Sequence, residues 1–204
     1  MTVEAFDIPS NADMGATSAR LDFGFDGTGV TVCVIDTGIT PGHEILDTKG
    51  PGEGPLSAIH FHDAVAGHAN PYDDQGHGTH VSGIVAGDGL GSTSFAAEAI
   101  GVAPAADLVV AKVLNNQGQG DDALVLEGME WSAARSDVDI ISMSLGGGST
   151  DGNDPMSVAA NCIADPDYAP SIPGFSGVSL CGGQTEPKIL VISAGNSGAV
   201  PSTI

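Results

Sequence analysis

The 204-residue sequence predicts an α/β fold in three layers, a doubly wound, mostly parallel sheet with helices on both faces. Three observations carry that prediction. Valine-rich runs at 30–35, 108–114 and 138–143 are apolar nearly throughout, as strands buried on both faces require. Between them, residues 77–87 and 122–135 place small or apolar residues at helical spacing. Alternation of strand, helix and strand implies right-handed crossovers within one parallel sheet.

Residues 1–26 form a lead-in. They lack the basic segment and apolar run of a secretory signal, and a short helix is expected around residues 16–21. No apolar run in the chain approaches the ~18 residues a membrane span needs. Asp26-Gly27-Thr28-Gly29 is a turn signal, and the first strand follows at 30–35 with Cys33 as a small buried hydrophobe. Asp36 ends that strand. A carboxylate at the carboxyl end of a buried parallel strand points into the crevice where open α/β sheets bind ligands.

A glycine- and proline-rich loop leads to a second short strand at 59–63. His60, His62 and His68 invite a metal reading, but with no cysteine or carboxylate framework they read as solvated surface, and no metal is assigned. The same discount applies to His77 and His80 as an i, i+3 ligand pair. In Gly76-His77-Gly78-Thr79-His80-Val81-Ser82-Gly83, a loop hands over to an apolar segment with small residues at helical spacing. His77 is therefore expected in the first turn of a buried helix, where it can serve as a base. Such a base needs a carboxylate to fix its tautomer and stabilise its charged form, and Asp36 is the candidate.

Residues 87–99 form a small-residue loop, and 108–114 reads as a central parallel strand. The glycines of Gly118-Gln119-Gly120 let backbone approach a ligand closely, and Asp121 and Asp122 suit the N-terminus of the helix at 122–135. Residues 150–187 read as a longer proline- and glycine-rich excursion containing Cys162 and Cys181. A disulfide between these two would stabilise by ~3 kcal/mol in the chain-entropy model and would fit an extracellular setting.

Val34-Ile35-Asp36-Thr37-Gly38-Ile39 followed by His77-Gly78-Thr79-His80-Val81-Ser82-Gly83 resembles the subtilisin-like serine proteases, whose triad order begins Asp, His. Ser142-Met143-Ser144-Leu145-Gly146-Gly147 resembles that family's substrate-binding strand, and Val191-Ile192-Ser193-Ala194-Gly195-Asn196 its oxyanion-hole segment. The resemblance runs from about Gly27 to Gly198 and implies a subtilisin-like peptidase domain over 27–204, with 1–26 a lead-in or the end of a pro-segment. It implies a serine endopeptidase in which Asp36 orients His77, His77 moves the proton, and Asn196 hydrogen-bonds the oxyanion. An extended polypeptide substrate would add as a strand between Gly118, Gln119, Gly120 on one edge and Ser144, Leu145, Gly146, Gly147 on the other. His80 would be a packing residue.

The family's Gly-Thr-Ser-x-Ala nucleophile segment does not occur in these 204 residues. The expectation is the front part of a catalytic domain, incomplete at its C-terminus, inactive alone and partnered by the missing C-terminal part. The alternative is a catalytically inactive fragment or peptide-binding relative. No cofactor is required for the chemistry. Structural calcium is not supported: Ile45 stands where many relatives carry a ligating aspartate, and 87–99 lacks an Asn-rich calcium loop. Ile35-Asp36-Thr37-Gly38 also resembles the turn of aspartic proteases, but only one such turn exists where that chemistry needs two carboxylates. A dinucleotide-binding reading lacks Gly-x-Gly-x-x-Gly after the first strand. By resemblance, the location is extracellular.

With 26 acidic residues against 5 Lys plus Arg, the formal net charge is −21, which repels nucleic acid and anionic membranes. Solubility accounts for such a charge; adaptation to high salt, which screens self-repulsion, is the sharper reading. On that second reading, the midpoint of chemical unfolding rises with added salt, and a midpoint indifferent to salt removes it.

Overall fold

In the computed structural model, residues 11–46, 59–90, 99–147, 152–165, 167–168 and 186–196 are described. In chain order the elements are α1 (Ala16–Phe23), β1 (Thr31–Asp36), β2 (His60–Asp63), α2 (His77–Ala86), β3 (Asp107–Lys112), α3 (Asp122–Ala133), β4 (Ile140–Met143), α4 (Pro155–Ala164) and β5 (Ile189–Ile192). The strands form one sheet in the order β2-β3-β1-β4-β5, and every pair is parallel.

Alternation along β1 creates the layers, because successive side chains of a strand point to opposite faces. Val32 and Val34 face one side, where they join Leu108 and Val110 of β3, Val81 and Ala86 of α2, and Ile39 and Leu46. Cys33 and Ile35 face the other side, with Val125, Met129 and Ala133 of α3 and Val158, Ala159, Cys162 and Ile163 of α4. Helices thus cover both faces, and the residues of β1 after Thr31 are all buried. The expected three-layer, doubly wound architecture is the one observed. Inside the second layer, burial pushes the Cys33 thiol up to about 12, so it packs as an apolar group.

The strand order also places the site. The chain passes from β1 to the outer strand β2, returns to β3 beside β1, and then crosses to β4 on the other flank. The order reverses at β1, so a crevice opens at the carboxyl end of β1, where Asp36 stands. α1 lies outside the layers and buries no residue. Arg20 holds it down by donating to the carbonyls of Gly101 at 2.9 Å and Val102 at 3.0 Å.

The proline- and glycine-rich excursion at 150–187 contains a helix that the sequence reading did not assign, α4. Asp154 caps that helix by accepting from the backbone N–H of Met156 and Ser157, and Pro155 occupies the first turn, where its missing N–H costs nothing. Cys162 is buried on α4; Cys181, and with it the proposed disulfide, lies outside the described residues. β5 closes the described sheet with Ile189, Val191 and Ile192 exposed.

This division between core and rim gives a measurable contrast. Ile141→Ala, in the packed layer between β4 and α4, is expected to cost ~2–5 kcal/mol in urea unfolding. Ile189→Ala, on the exposed part of β5, is expected to cost no more than about 1 kcal/mol.

Candidate active site

Asp36 has no exposed surface, and each of its polar groups is assigned. Its backbone carbonyl accepts from the N–H of Val113 at 2.9 Å and Leu114 at 3.2 Å, where the chain leaves β3. Its Oδ1 accepts from the Thr37 N–H at 2.7 Å. The ring Nδ1 of His77 lies 2.8 Å from Oδ1 and 2.9 Å from Oδ2. Between two carboxylate oxygens, Nδ1 carries the proton, which leaves Nε2 with a free lone pair. The His77 side chain is 45% exposed, so one ring edge meets a buried carboxylate while the ring still reaches solvent.

Two glycines allow this approach. Gly76 precedes α2 with φ 102°, in the left-handed region, and turns the chain into the helix. A Cβ at Gly78 would overlap the carbonyl oxygen of Gly38 and lie 3.2 Å from the Asp36 Cβ. The first turn of α2 therefore rests on the turn after β1 only because residue 78 has no side chain.

Burial pushes the Asp36 carboxyl above its ordinary value. The hydrogen bond from His77, the Thr37 N–H and the His77 charge pull it back, while the nearby charge of Asp73 adds to the rise.

Behind the pair stands Lys112, the register partner of Asp36 on β3 and itself without exposed surface. Its Nζ donates to the Thr37 carbonyl, to Asp74 Oδ1 at 2.7 Å and to the Leu114 carbonyl at 2.8 Å, and lies 4.9 Å from the Tyr72 ring centre. One ammonium thus joins the Asp36 turn, the loop before His77 and the start of the loop carrying Gly118. Tyr72 in turn donates to Asp63 at the end of β2. The Asp63 carboxylate also accepts from the N–H groups of Val65, Ala66 and His68.

His77 lines a cleft of about 680 Å³. Gly118, Gln119 and Gly120 form one side and Ser144, Leu145, Gly146 and Gly147 another, with Val125 and Met156 also contributing. The structure therefore brings both expected peptide-binding segments to the His77 ring. Asn115 shapes the first of them: its Oδ1 accepts from the N–H of Gln117 and Gln119, and its carbonyl from Gly118. Asn196 is exposed in the loop after β5 and is not among the described residues that line the cleft.

The expectation for His80 is overturned. It is exposed, because on α2 the positions of His77, His80 and Ile84 form the outer stripe while Thr79, Val81, Ser82 and Gly83 face inward. His60, His62 and His68 serve separate surroundings: His62 Nε2 meets Glu127 at 2.8 Å and stacks on Trp131, His68 lies against Tyr72, and His60 is 4.0 Å from Asp137. Ile45 is buried in the layer beneath α2, so this position offers hydrocarbon where calcium would need oxygen. Sequence reading missed Lys112 and Asp73. Lys112 had one signal, a lone cation inside an apolar run at 108–114.

The model of the Subtilase family (peptidase S8) matches residues 27–203. Bacillopeptidase F of Bacillus subtilis (strain 168) is 40% identical over 143 residues, which are 62% of this chain and 10% of that protein. Serine protease AprX of the same strain is 44% identical over 127 residues, covering 59% of this chain and 26% of that protein. Subtilisin DY of Bacillus licheniformis is 35% identical over 176 residues, covering 86% of this chain and 50% of that protein. The matches thus span between a tenth and half of the length of these relatives.

The Asp63 turn carries a pH dependence of definite sign. Burial alone would raise Asp63, but the N–H groups of His68, Ala66 and Val65 and the Tyr72 hydroxyl outweigh it and hold the carboxyl below its ordinary value. A depressed folded value contributes stability above the unfolded pKa of ~3.9 and loses it as pH falls through the folded one. Acid unfolding followed by circular dichroism should therefore steepen below about pH 4, and Asp63→Asn should flatten that limb while lowering stability at neutral pH.

Proposed function

The chain belongs to the subtilase family, and from that premise we propose that its Asp36–His77 pair serves a serine endopeptidase that hydrolyses peptide bonds. The observation that carries this reading is the contact of His77 Nδ1 with both oxygens of a buried carboxylate, on the rim of a cleft lined by both peptide-binding segments.

In this reading the Nε2 lone pair of His77 takes the proton from a serine hydroxyl as its oxygen attacks the scissile carbonyl. His77 then returns the proton to the leaving amine. Asp36 holds the ring in the tautomer that exposes Nε2 and stabilises the imidazolium formed on the way. The Asn196 amide donates to the oxyanion. The substrate is an extended polypeptide held by main-chain hydrogen bonds between the Gly118–Gly120 and Ser144–Gly147 segments, which favours affinity over side-chain selectivity. Asp122 on the cleft, with Asp121 beside it, supports tolerance for basic substrate residues. The nucleophile belongs to a Gly-Thr-Ser-x-Ala segment outside these 204 residues, and the part of the domain carrying it is the implied partner. An extracellular location goes with the same family reading.

A second reading starts from the cleft and its two glycine-containing edges, which suit an extended peptide whether or not it is cut. It takes the chain as a peptide-binding relative without catalysis.

The coding sequence beyond Ile204 separates the two. Under the endopeptidase reading it encodes Gly-Thr-Ser-x-Ala before a helical segment, the chain extended through it cleaves casein, and the 204 residues alone do not. His77→Ala in the extended chain should lower kcat by ~10⁶-fold. A stop codon or another residue at the serine, together with casein bound but uncut, replaces this reading with the second. In the same assay, peptide libraries rich in Lys and Arg should be cut faster than acidic ones; equal rates remove the role given to Asp121 and Asp122.

A further inference from the structure

Asp73 lies four residues before His77, touches neither Asp36 nor the His77 ring through any hydrogen bond described, and is not among the described residues lining the cleft. Its carboxylate is nonetheless the junction of two segments. Oδ1 accepts from the N–H of Gln75 at 3.1 Å, the N–H of Gly76 at 2.8 Å and the hydroxyl of Thr37 at 2.9 Å. Oδ2 accepts from the N–H of Thr79 at 3.0 Å and its hydroxyl at 2.6 Å. Thr37 is the residue after Asp36, and its Oγ1 also accepts from the N–H of Gly78, the residue after His77. Thr79 Oγ1 accepts from the N–H of Thr40. Gly38 and Asp73 form an antiparallel bridge, flanked by the bond from Ile39 N–H to the Tyr72 carbonyl.

Together these links tie the turn after β1, the loop before α2 and the first turn of α2 to one another, with Asp73 in the loop between them. The hydroxyl of Thr37, the residue next to Asp36, accepts from Gly78, the residue next to His77, and donates to Asp73. The arrangement carries a cost at Asp36, whose carboxyl the nearby charge of Asp73 helps to raise. Burial would raise Asp73 as well, but the Thr79 hydroxyl and the N–H groups of Gly76, Thr79 and Gln75 hold it down, so the site keeps its anion.

We infer that Asp73 is a positioning residue of this site, which through Thr37 and Thr79 locks the Asp36 turn against α2 and so holds His77 in its Nδ1-protonated tautomer. The inference rests on the reading of Asp36 and His77 as the catalytic pair. A carboxylate in this place does for the pair what the pair does for the proton: it removes the freedom of the two backbones to drift apart. A misplacement of about 1 Å is enough to cost ~100-fold in such a site.

The test uses nitrogen and proton NMR of the His77 ring in the 204-residue chain, at a pH where the ring is neutral, for wild type, Asp36→Asn, Asp73→Asn, Thr37→Val and Thr37→Ser. Wild type should show a hydrogen-bonded Nδ1–H proton and widely separated ring nitrogens, and Asp36→Asn should lose both. A wild type without that signature, or an Asp36→Asn variant that keeps it, overturns the reading of the pair itself. Given the pair, Asp73→Asn and Thr37→Val should lose the Nδ1–H signal and draw the two nitrogen resonances together, while Thr37→Ser, which keeps the hydroxyl, retains the wild-type spectrum. If both Asp73→Asn and Thr37→Val keep the signature and lose only thermal stability, Asp73 is structural and the inference fails. Should Asp73→Asn not fold, Thr37→Val is read beside Thr79→Val, since each removes one hydroxyl donor to Asp73: loss of the signature in both upholds the inference, and retention in either overturns it.

Discussion

The architecture of this end of the sheet follows from placing a carboxylate where water does not reach it. Asp36 is the last residue of the central strand, with no exposed surface, and burial works against its charged form. Such a group persists only where donors replace the lost water, and each donor here arrives from a different element. Thr37 supplies its N–H from the turn, and His77 supplies Nδ1 from α2. The chain leaving β3 closes over the backbone carbonyl. The parallel sheet provides the dry floor, and the reversal of strand order at β1 provides the opening above it. Asp36 thus costs stability as a lone buried acid and becomes tolerable as one member of a hydrogen-bonded group.

The same constraint explains why charged side chains penetrate so deeply nearby. Lys112 is fully buried, yet its three donor contacts and the Tyr72 face leave none of its N–H groups idle. Asp63 and Asp73 are acceptor hubs in which backbone N–H groups outnumber the competing burial effect, so both are held low while Asp36 is driven up. Asp36 differs in direction from Asp63 and Asp73 because at Asp36 burial outweighs the donors, whereas at the other two the donors outweigh burial.

Much of this was legible in the sequence where the signal is local. The strands at the centre of the sheet read directly, because burial on both faces leaves a nearly unbroken apolar run such as Val32-Cys33-Val34-Ile35. His77 at a helix start read from its flanking glycines, and Gly118–Gly120 and Ser144–Gly147 indeed meet at the His77 cleft. α4 was missed although Asp154-Pro155 is a helix-start signal, since the glycines and prolines on either side outweighed ten residues of amphipathic pattern. Asp73 and Lys112 were not legible, because their partners lie between 36 and 75 residues away in sequence for the bonds that matter most. His80 misled for a related reason: which stripe of α2 faces inward is settled by what packs beneath it.

The bonds that hold the pair come from a bounded stretch of chain. Thr37, Asp73, Gly78, Thr79, Lys112 and Leu114 lie between residues 36 and 114, so among the described residues these bonds are made within β1, α2, β3 and the loops that join them. On the proposed reading, the proton-handling half of the site is thus held by one continuous stretch of the chain. The cleft side at Ser144–Gly147 and the loop of Asn196 follow β4 and β5 on the opposite flank, where Ile189, Val191 and Ile192 are exposed. A base whose tautomer is fixed before any nucleophile arrives needs no rearrangement when one does, which is the condition under which electrostatic preorganisation contributes most to rate.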